Sequence, residues 1–182
     1  MDQQTDISTS ERSERELPSF HLLTPLTRLS DPKLIEQTWE KVRTQEYAFD
    51  DFTINNPGLF LAGMLDVNTY YFLVEDAGIV ILNDLYENSI SSNIHFCMWD
   101  KKYPHSKIIQ AAKEALGYMF SFNCHRVTAL IPTYNSFAKR LATQLRFRYE
   151  GCMKEAILYK GKWYDEDIFG LLHSNFVKPE VQ

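Results

Sequence analysis

A chain of 182 residues with 45% hydrophobic and 14% aromatic content carries the material for a packed core, which excludes a disordered or fibrous protein. Its formal net charge is −5 with no long basic block, so general nucleic-acid binding is not expected. No apolar run approaches the roughly 20 residues that span a bilayer, and the acidic, polar start has no signal-peptide pattern. A cytoplasmic protein without membrane contact is therefore expected.

The first stretch, "MDQQTDISTSERSERELP", sets Asp2, Asp6, Glu11, Glu14 and Glu16 against Arg12 and Arg15, which is −3 of the chain's −5. With almost no large apolar residue before Leu17 it cannot offset the entropy of ordering. A disordered polar tail is expected over 1–18 and a single domain over 19–182. "FHLLTPL" reads as a first strand. In "SDPKLIEQTWEKVRTQEYAF", Ser30 or Asp31 can cap a helix and Pro32 suits its first turn, with Leu34, Ile35, Trp39 and Val42 on one face. "NNPGLFLAGMLD" reads as a short apolar helix after a turn. "TYYFLVE", "GIVILNDLY" and "SNIHFCMW" are strand-like runs with short breaks, which predicts an antiparallel meander.

"MWDKKYPHSKII" then leaves a strand, crosses a basic loop without glycine and opens a helix. That helix, "SKIIQAAKEALGYMFSF", holds Ile108, Ala112, Ala115, Met119 and Phe122 at helical spacing. "HRVTALIP" is a strand stopped by Pro132. "NSFAKRLATQL" is a helix capped by Asn135, with Phe137, Leu141 and Leu145 expected inward. "EAILYKGKWYDEDIFGLL" closes as two strands around "KGKW". The order predicts an α+β fold: a mixed, mostly antiparallel central sheet of about 6–7 strands flanked by about four helices, with a strand–helix–strand crossover in the middle.

Cys97, Cys124 and Cys152 are odd in number and lack CxxC spacing. His21, His95, His105, His125 and His173 lack paired-ligand spacing. Neither a disulfide framework nor a metal site is expected.

The chemistry is expected at the mouth between the strand ending at Trp99 and the strand ending at Ile131. Two helix N-termini converge there, one near Ser106 and one at Asn135, offering N–H groups and partial positive charge. Lys101, Lys102, His105 and Lys107 surround the first; Lys139 and Arg140 lie just inside the second. Such a place suits a phosphorylated ligand, against the alternative of a solvated basic surface. For proton transfer Asp84, Glu87 and His95 are read on the central strands, and His95 has the most suitable ordinary pKa. The alternative for His95 is a half-buried structural histidine. Cys97, two residues along the same strand, makes a poor nucleophile pair with it, because no oriented base results.

"IPTYNSFAKRLATQLRFRYEG" (131–151) opens a helix at Asn135, with Ala138 three and Leu141 six residues on, then Phe147, Glu150 and Gly151. The following segment adds Gly161, Trp163, Tyr164, Asp165, Leu171 and Leu172. Over about residues 20–172 this series resembles the GCN5-related N-acetyltransferases (GNAT), nearest the branch acetylating protein N-termini and small amines. The resemblance implies acetyl-CoA as donor, no metal, and direct transfer to a protein N-terminus, lysine or small amine in a ternary complex. A monomer or homodimer is expected. Asn135 and the backbone of residues 98–107 and 131, from Met98 and Trp99 to Ile131, would hold the donor. A backbone N–H at the end of "HFCMW" would face the oxyanion.

The family's diphosphate loop, Q/R-x-x-G-x-G/A, falls on Tyr103, Pro104, His105, Ser106, Lys107 and Ile108. Tyr103 replaces the Arg or Gln, Ser106 the first glycine and Ile108 the second small residue. A β-branched Ile108 can crowd a diphosphate, and Pro104 removes a donor. The tyrosine that protonates the leaving thiolate in many members is Ala142 here; Tyr134 is a candidate substitute, with packing as the favoured alternative. These departures make a catalytically inactive assembly or partner-binding module of the same fold the second expectation.

Overall fold

Asp31 accepts a hydrogen bond from Lys33 N at 2.9 Å and Pro32 opens the first helix, as their residue types predict. The computed structural model describes residues 20–177 apart from 28, 46–50, 52 and 55, so the predicted tail lies outside the described residues. In chain order the elements are β1 (Leu23–Leu26), α1 (Pro32–Val42), α2 (Pro57–Leu65), β2 (Tyr70–Val74), β3 (Gly78–Asn83) and β4 (Ser91–Met98). There follow α3 (His105–Ser121), β5 (Arg126–Pro132), α4 (Ser136–Gln144), β6 (Arg148–Tyr159), β7 (Lys162–Leu172) and α5 (His173–Phe176).

Among the described residues seven strands form one sheet in the order β1-β2-β3-β4-β5-β7-β6. Every pairing is antiparallel except β4–β5, which α3 joins as a parallel crossover. The expected α+β architecture is present.

The sheet separates two apolar layers. On one face Ile108, Ala112, Leu116 and Met119 of α3 and Leu141 of α4 pack with Phe72, Val80 and Leu82. The alanines at 111, 112 and 115 let α3 lie close to the strands. On the other face Trp39, Val42, Phe60, Tyr71 and Ile79 form a smaller layer under α1 and α2. β4 alternates between them: Ile94, Phe96 and Met98 join the first layer, Cys97 and Trp99 the second.

The structure corrects several local expectations. Leu34 is 37% and Phe137 41% exposed, so neither is the core residue its spacing suggests. α1 turns Thr38, Trp39 and Val42 inward instead, and Phe137 lies against the His105 ring. α1 ends at Val42, and the final part of the longer predicted helix falls in 46–50, outside the described residues. β6 starts at Arg148, well before the predicted Glu155. The run 148–153, interrupted by Gly151, has no sustained alternation to announce a strand; pairing with the long β7, across a bulge near Gly151, makes it one. The short α5 adds a helix the periodicity does not predict.

Candidate active site

β4 and β5 pair over Ser91↔Arg126, Ser92↔Val127 and Asn93↔Thr128, and then part. Each stays with its outer neighbour: β4 with β3 as far as Gly78↔Met98, β5 with β7 as far as Pro132↔Glu166. The direction of the backbone groups follows from these registers. Trp99 N donates to Ala77 O at 3.0 Å, so alternation sends the N–H and C=O of Cys97 and His95 toward β3. Those of Phe96 and Met98 point toward the missing β5. Thr133 N donates to Asp165 O at 2.9 Å, so Ile131 bonds toward β7, while the N–H and C=O of Leu130 and the C=O of Pro132 point toward β4. Two strand edges thus face each other across a gap.

The gap is the centre of a cleft of about 850 Å³, part of it open to solvent, which reaches both faces of the sheet. On the α3/α4 side its walls include Ala112, Asn135, Ala138, Leu141 and Ala142; on the other side they include Val42, Ile79, Ile81, His95 and Cys97.

On the α3/α4 side, Pro104 O accepts from Lys107 N at 3.0 Å and Ile108 N at 3.1 Å. The N–H groups of exposed His105 and Ser106 lead this first turn. Ile108 is 5% exposed and buried in the core, so it does not crowd the turn as its β-branch suggests. Asn135 caps α4, with Oδ1 accepting from Ala138 N at 3.0 Å.

The basic ring is only partly brought together. Lys101, Lys102 and Arg140 are exposed. Lys107 Nζ instead holds Glu75 at 3.2 Å, and Lys139 Nζ holds Thr133 O at 2.8 Å and Asp167 at 3.1 Å. His105 Nε2 donates to Gln144 Oε1 at 2.8 Å. Tyr103 has its phenol pushed up to about 12, by burial first and the Glu75 carboxylate next. Trp99 turns to the opposite face, its Nε1 donating to Asp76 O at 2.8 Å, and the side chains of Met98 and Ile131 pack in the core.

On the α1/α2 side, His95 stands opposite Ile81. Its side chain is exposed and lines the cleft. Desolvation lowers its pKa below the ordinary value and the Asp84 charge pulls it partly back, so the imidazole is neutral near pH 7. Asp84 and Glu87 lie on the β3–β4 connection, not on strands as expected; Asp84 Oδ2 accepts from Asn93 Nδ2 at 2.9 Å. Burial pushes the Cys97 thiol up to about 12, which removes thiolate chemistry there. Tyr134 packs against Tyr159 and Tyr164, at ring separations of 5.3 and 4.7 Å.

The structure adds to the candidate site the backbones of Phe96 and Leu130, which face the gap, and Gln144, which meets His105. Strand alternation could have pointed to Phe96; choosing Leu130 over Ile131 needs the β5–β7 register, and Gln144 needs the path of α4. Among the described residues no group of three or more His, Cys, Asp or Glu is placed to hold a metal. No described helix is long and apolar enough to cross a membrane.

No family model matches this sequence, and no curated protein does. Solved structures do match. A spermidine N-acetyltransferase SpeG–hSSAT chimera from Vibrio cholerae superposes with a TM-score of 0.70 at 18% identity, covering 87% of this chain and 100% of that one. Spermidine N-acetyltransferase from Vibrio cholerae in complex with CoA and spermine gives 0.69 at 18%, covering 86% and 99%. Ribosomal-protein-S5-alanine acetyltransferase from Vibrio fischeri gives 0.70 at 16%, covering 88% and 98%. At these identities the likeness is one of fold: the chain has the architecture of the GNAT acetyltransferases.

Proposed function

We propose, with the acetyltransferase fold as premise, that this chain moves an acetyl group from acetyl-CoA to an amine. The observation that carries the reading is the parted β4–β5 pair, whose backbone groups at Phe96, Met98, Leu130 and Pro132 face an open slot. The pantetheine arm of CoA is extended and bears two amides. It can bond both edges as a missing strand would, and that satisfies groups which are costly to leave unpaired. The His105 and Ser106 N–H groups at the start of α3 suit the diphosphate, with the charges of Lys101 and Lys102 close in sequence. The two neighbours that act on spermidine and on a ribosomal-protein alanine share the fold, and the second of the spermidine structures holds CoA.

The donor supplies the activated thioester; the chain's own groups do the rest. The slot brings thioester and amine together, and most of the acceleration comes from that proximity. The amine enters from the α1/α2 face, where partly buried Ile81 and exposed His95 line the cleft. Neutral His95 takes one proton from it as the C–N bond forms. The N–H of Phe96 or Met98 donates to the carbonyl oxygen as it gains charge. The C–S bond then breaks, and the departing thiolate takes up a proton equivalent to the one the amine lost, returned through His95 and solvent. Desolvation lowers the basicity of His95, and the Asp84 charge restores part of it.

Titration calorimetry with acetyl-CoA, beside an acceptor screen of spermidine, lysine peptides and peptides with free N-termini, tests the reading. Micromolar, phosphate-dependent binding with acetylation of one of these amines is expected. No binding at millimolar acetyl-CoA would sink it.

A further inference from the structure

The first turn of α3 has no cap of its own. Pro104 stands in the cap position and no side chain bonds the turn's N–H groups. The loop before it has no glycine either, so its hold on the site must come from elsewhere.

Two side-chain contacts flank the turn. On one side Lys107 Nζ meets both oxygens of Glu75 at 3.2 Å and lies 5.6 Å above the Tyr103 ring. On the other, His105 Nε2 donates to Gln144 Oε1 at 2.8 Å, and its ring stands edge-on to Phe137 at 6.1 Å. Phe137 and Gln144 are about two turns apart on the same flank of α4. His105 therefore spans from the start of α3 to the length of α4. The Lys107–Glu75 pair is half-exposed and ties the turn to the β2–β3 connection; the Gln144 contact, between two exposed side chains, is what ties it to α4.

We infer that Gln144 is a positioning residue for the diphosphate end of the donor. Through His105 it braces the uncapped first turn of α3 against α4, so that the His105 and Ser106 N–H groups stay aimed at the mouth of the slot. This deepens the acetyl-CoA reading and rests on it. A turn held by its neighbours is ordered before the ligand arrives. A frayed turn lowers the apparent affinity by the fraction of time it is formed. The His105 side chain acts as a strut and its backbone as the ligand contact.

The test is titration of the full chain with CoA and, separately, with ADP, which carries a diphosphate but no pantetheine arm. Gln144→Ala is expected to weaken CoA about two- to tenfold, the range of one lost neutral hydrogen bond, and ADP by the same factor, with Tm unchanged. His105→Ala should cost as much, and the double variant no more than either single one. Wild-type affinity for CoA in Gln144→Ala would overturn the inference. So would a loss for CoA that spares ADP, because that places the damage in the slot. A wild-type chain that binds neither ligand overturns the acetyl-CoA reading itself, and the brace with it.

Discussion

In the proposed mechanism His95 is the base, and its imidazole lines the cleft. Desolvation lowers its pKa below the ordinary 6.5, so the neutral form is the one in place at pH 7. His95→Gln is expected to reduce kcat about a hundredfold or more, measured against the accepted amine, with donor binding kept. The acid limb of kcat/KM should fall below the ordinary imidazole value of 6.5 and vanish in that variant. Asp84→Asn should move the limb to still lower pH, since the Asp84 charge is what raises the value. The same shift affects folding. Between the lowered folded value and 6.5 the unfolded chain holds a proton that the native chain lacks, so this group's contribution to stability rises with pH through that window and is flat above it. For Cys97, Cys97→Ala should keep acetyl transfer within about tenfold and no acetylated protein should accumulate, because a thiol pushed up to about 12 is not a nucleophile. Residue type is what singles out His95 in the sequence, and the structure places it on the cleft wall. Its environment was not readable, because the Asp84 carboxylate reaches it from a turn rather than from a neighbouring strand position.

At the scale of elements, what the chain announces locally and what it acquires from partners come apart cleanly. α3 and α4 follow from periodicity, and the Asn135 cap from residue type and position. Asn135→Ala should lower stability by about 1 kcal/mol through loss of the bond to Ala138 N, read by denaturant unfolding. β6 and the parting of β4 from β5 follow from register, which depends on strands distant in sequence. No window of the sequence near Asn93 says that pairing stops there. Gly78 is where the two kinds of information meet. A Cβ at this position would sit 2.8 Å from Cys97 O and collide with Met98 Sδ, so the glycine fixes how closely β3 approaches the end of β4. Gly78→Ala should destabilise by about 1–3 kcal/mol and displace the Met98 edge of the slot. A raised KM for acetyl-CoA alongside the lower Tm would be the signature. Ile108 shows the converse: its β-branch looks obstructive in the motif, but α3 turns the side chain into the core.

For the whole molecule, the sheet is a wall between two unequal layers, pierced where β4 and β5 separate, and the proposed reaction brings donor and acceptor to that opening from opposite faces. The strand and helix order carried the fold, so the architecture was legible. The opening was not, since it exists only in the relation between two strands each held by a different neighbour. Filling it should stabilise the fold, by about 2.7 kcal/mol at a ligand concentration a hundred times Kd, seen as a rise in Tm with acetyl-CoA. The same opening has a signature at single peptide groups. A sheet normally shields its interior amides from deuterium, but those of Phe96, Met98 and Leu130 have no strand opposite them. In the free protein they should exchange quickly, although they lie in the middle of the sequence and the middle of the sheet. Their neighbours Cys97 and Ile131, bonded outward to β3 and β7, should exchange slowly. With the slot filled the fast amides should fall silent, so that the ligand is recorded as an eighth strand written in protection factors rather than in coordinates.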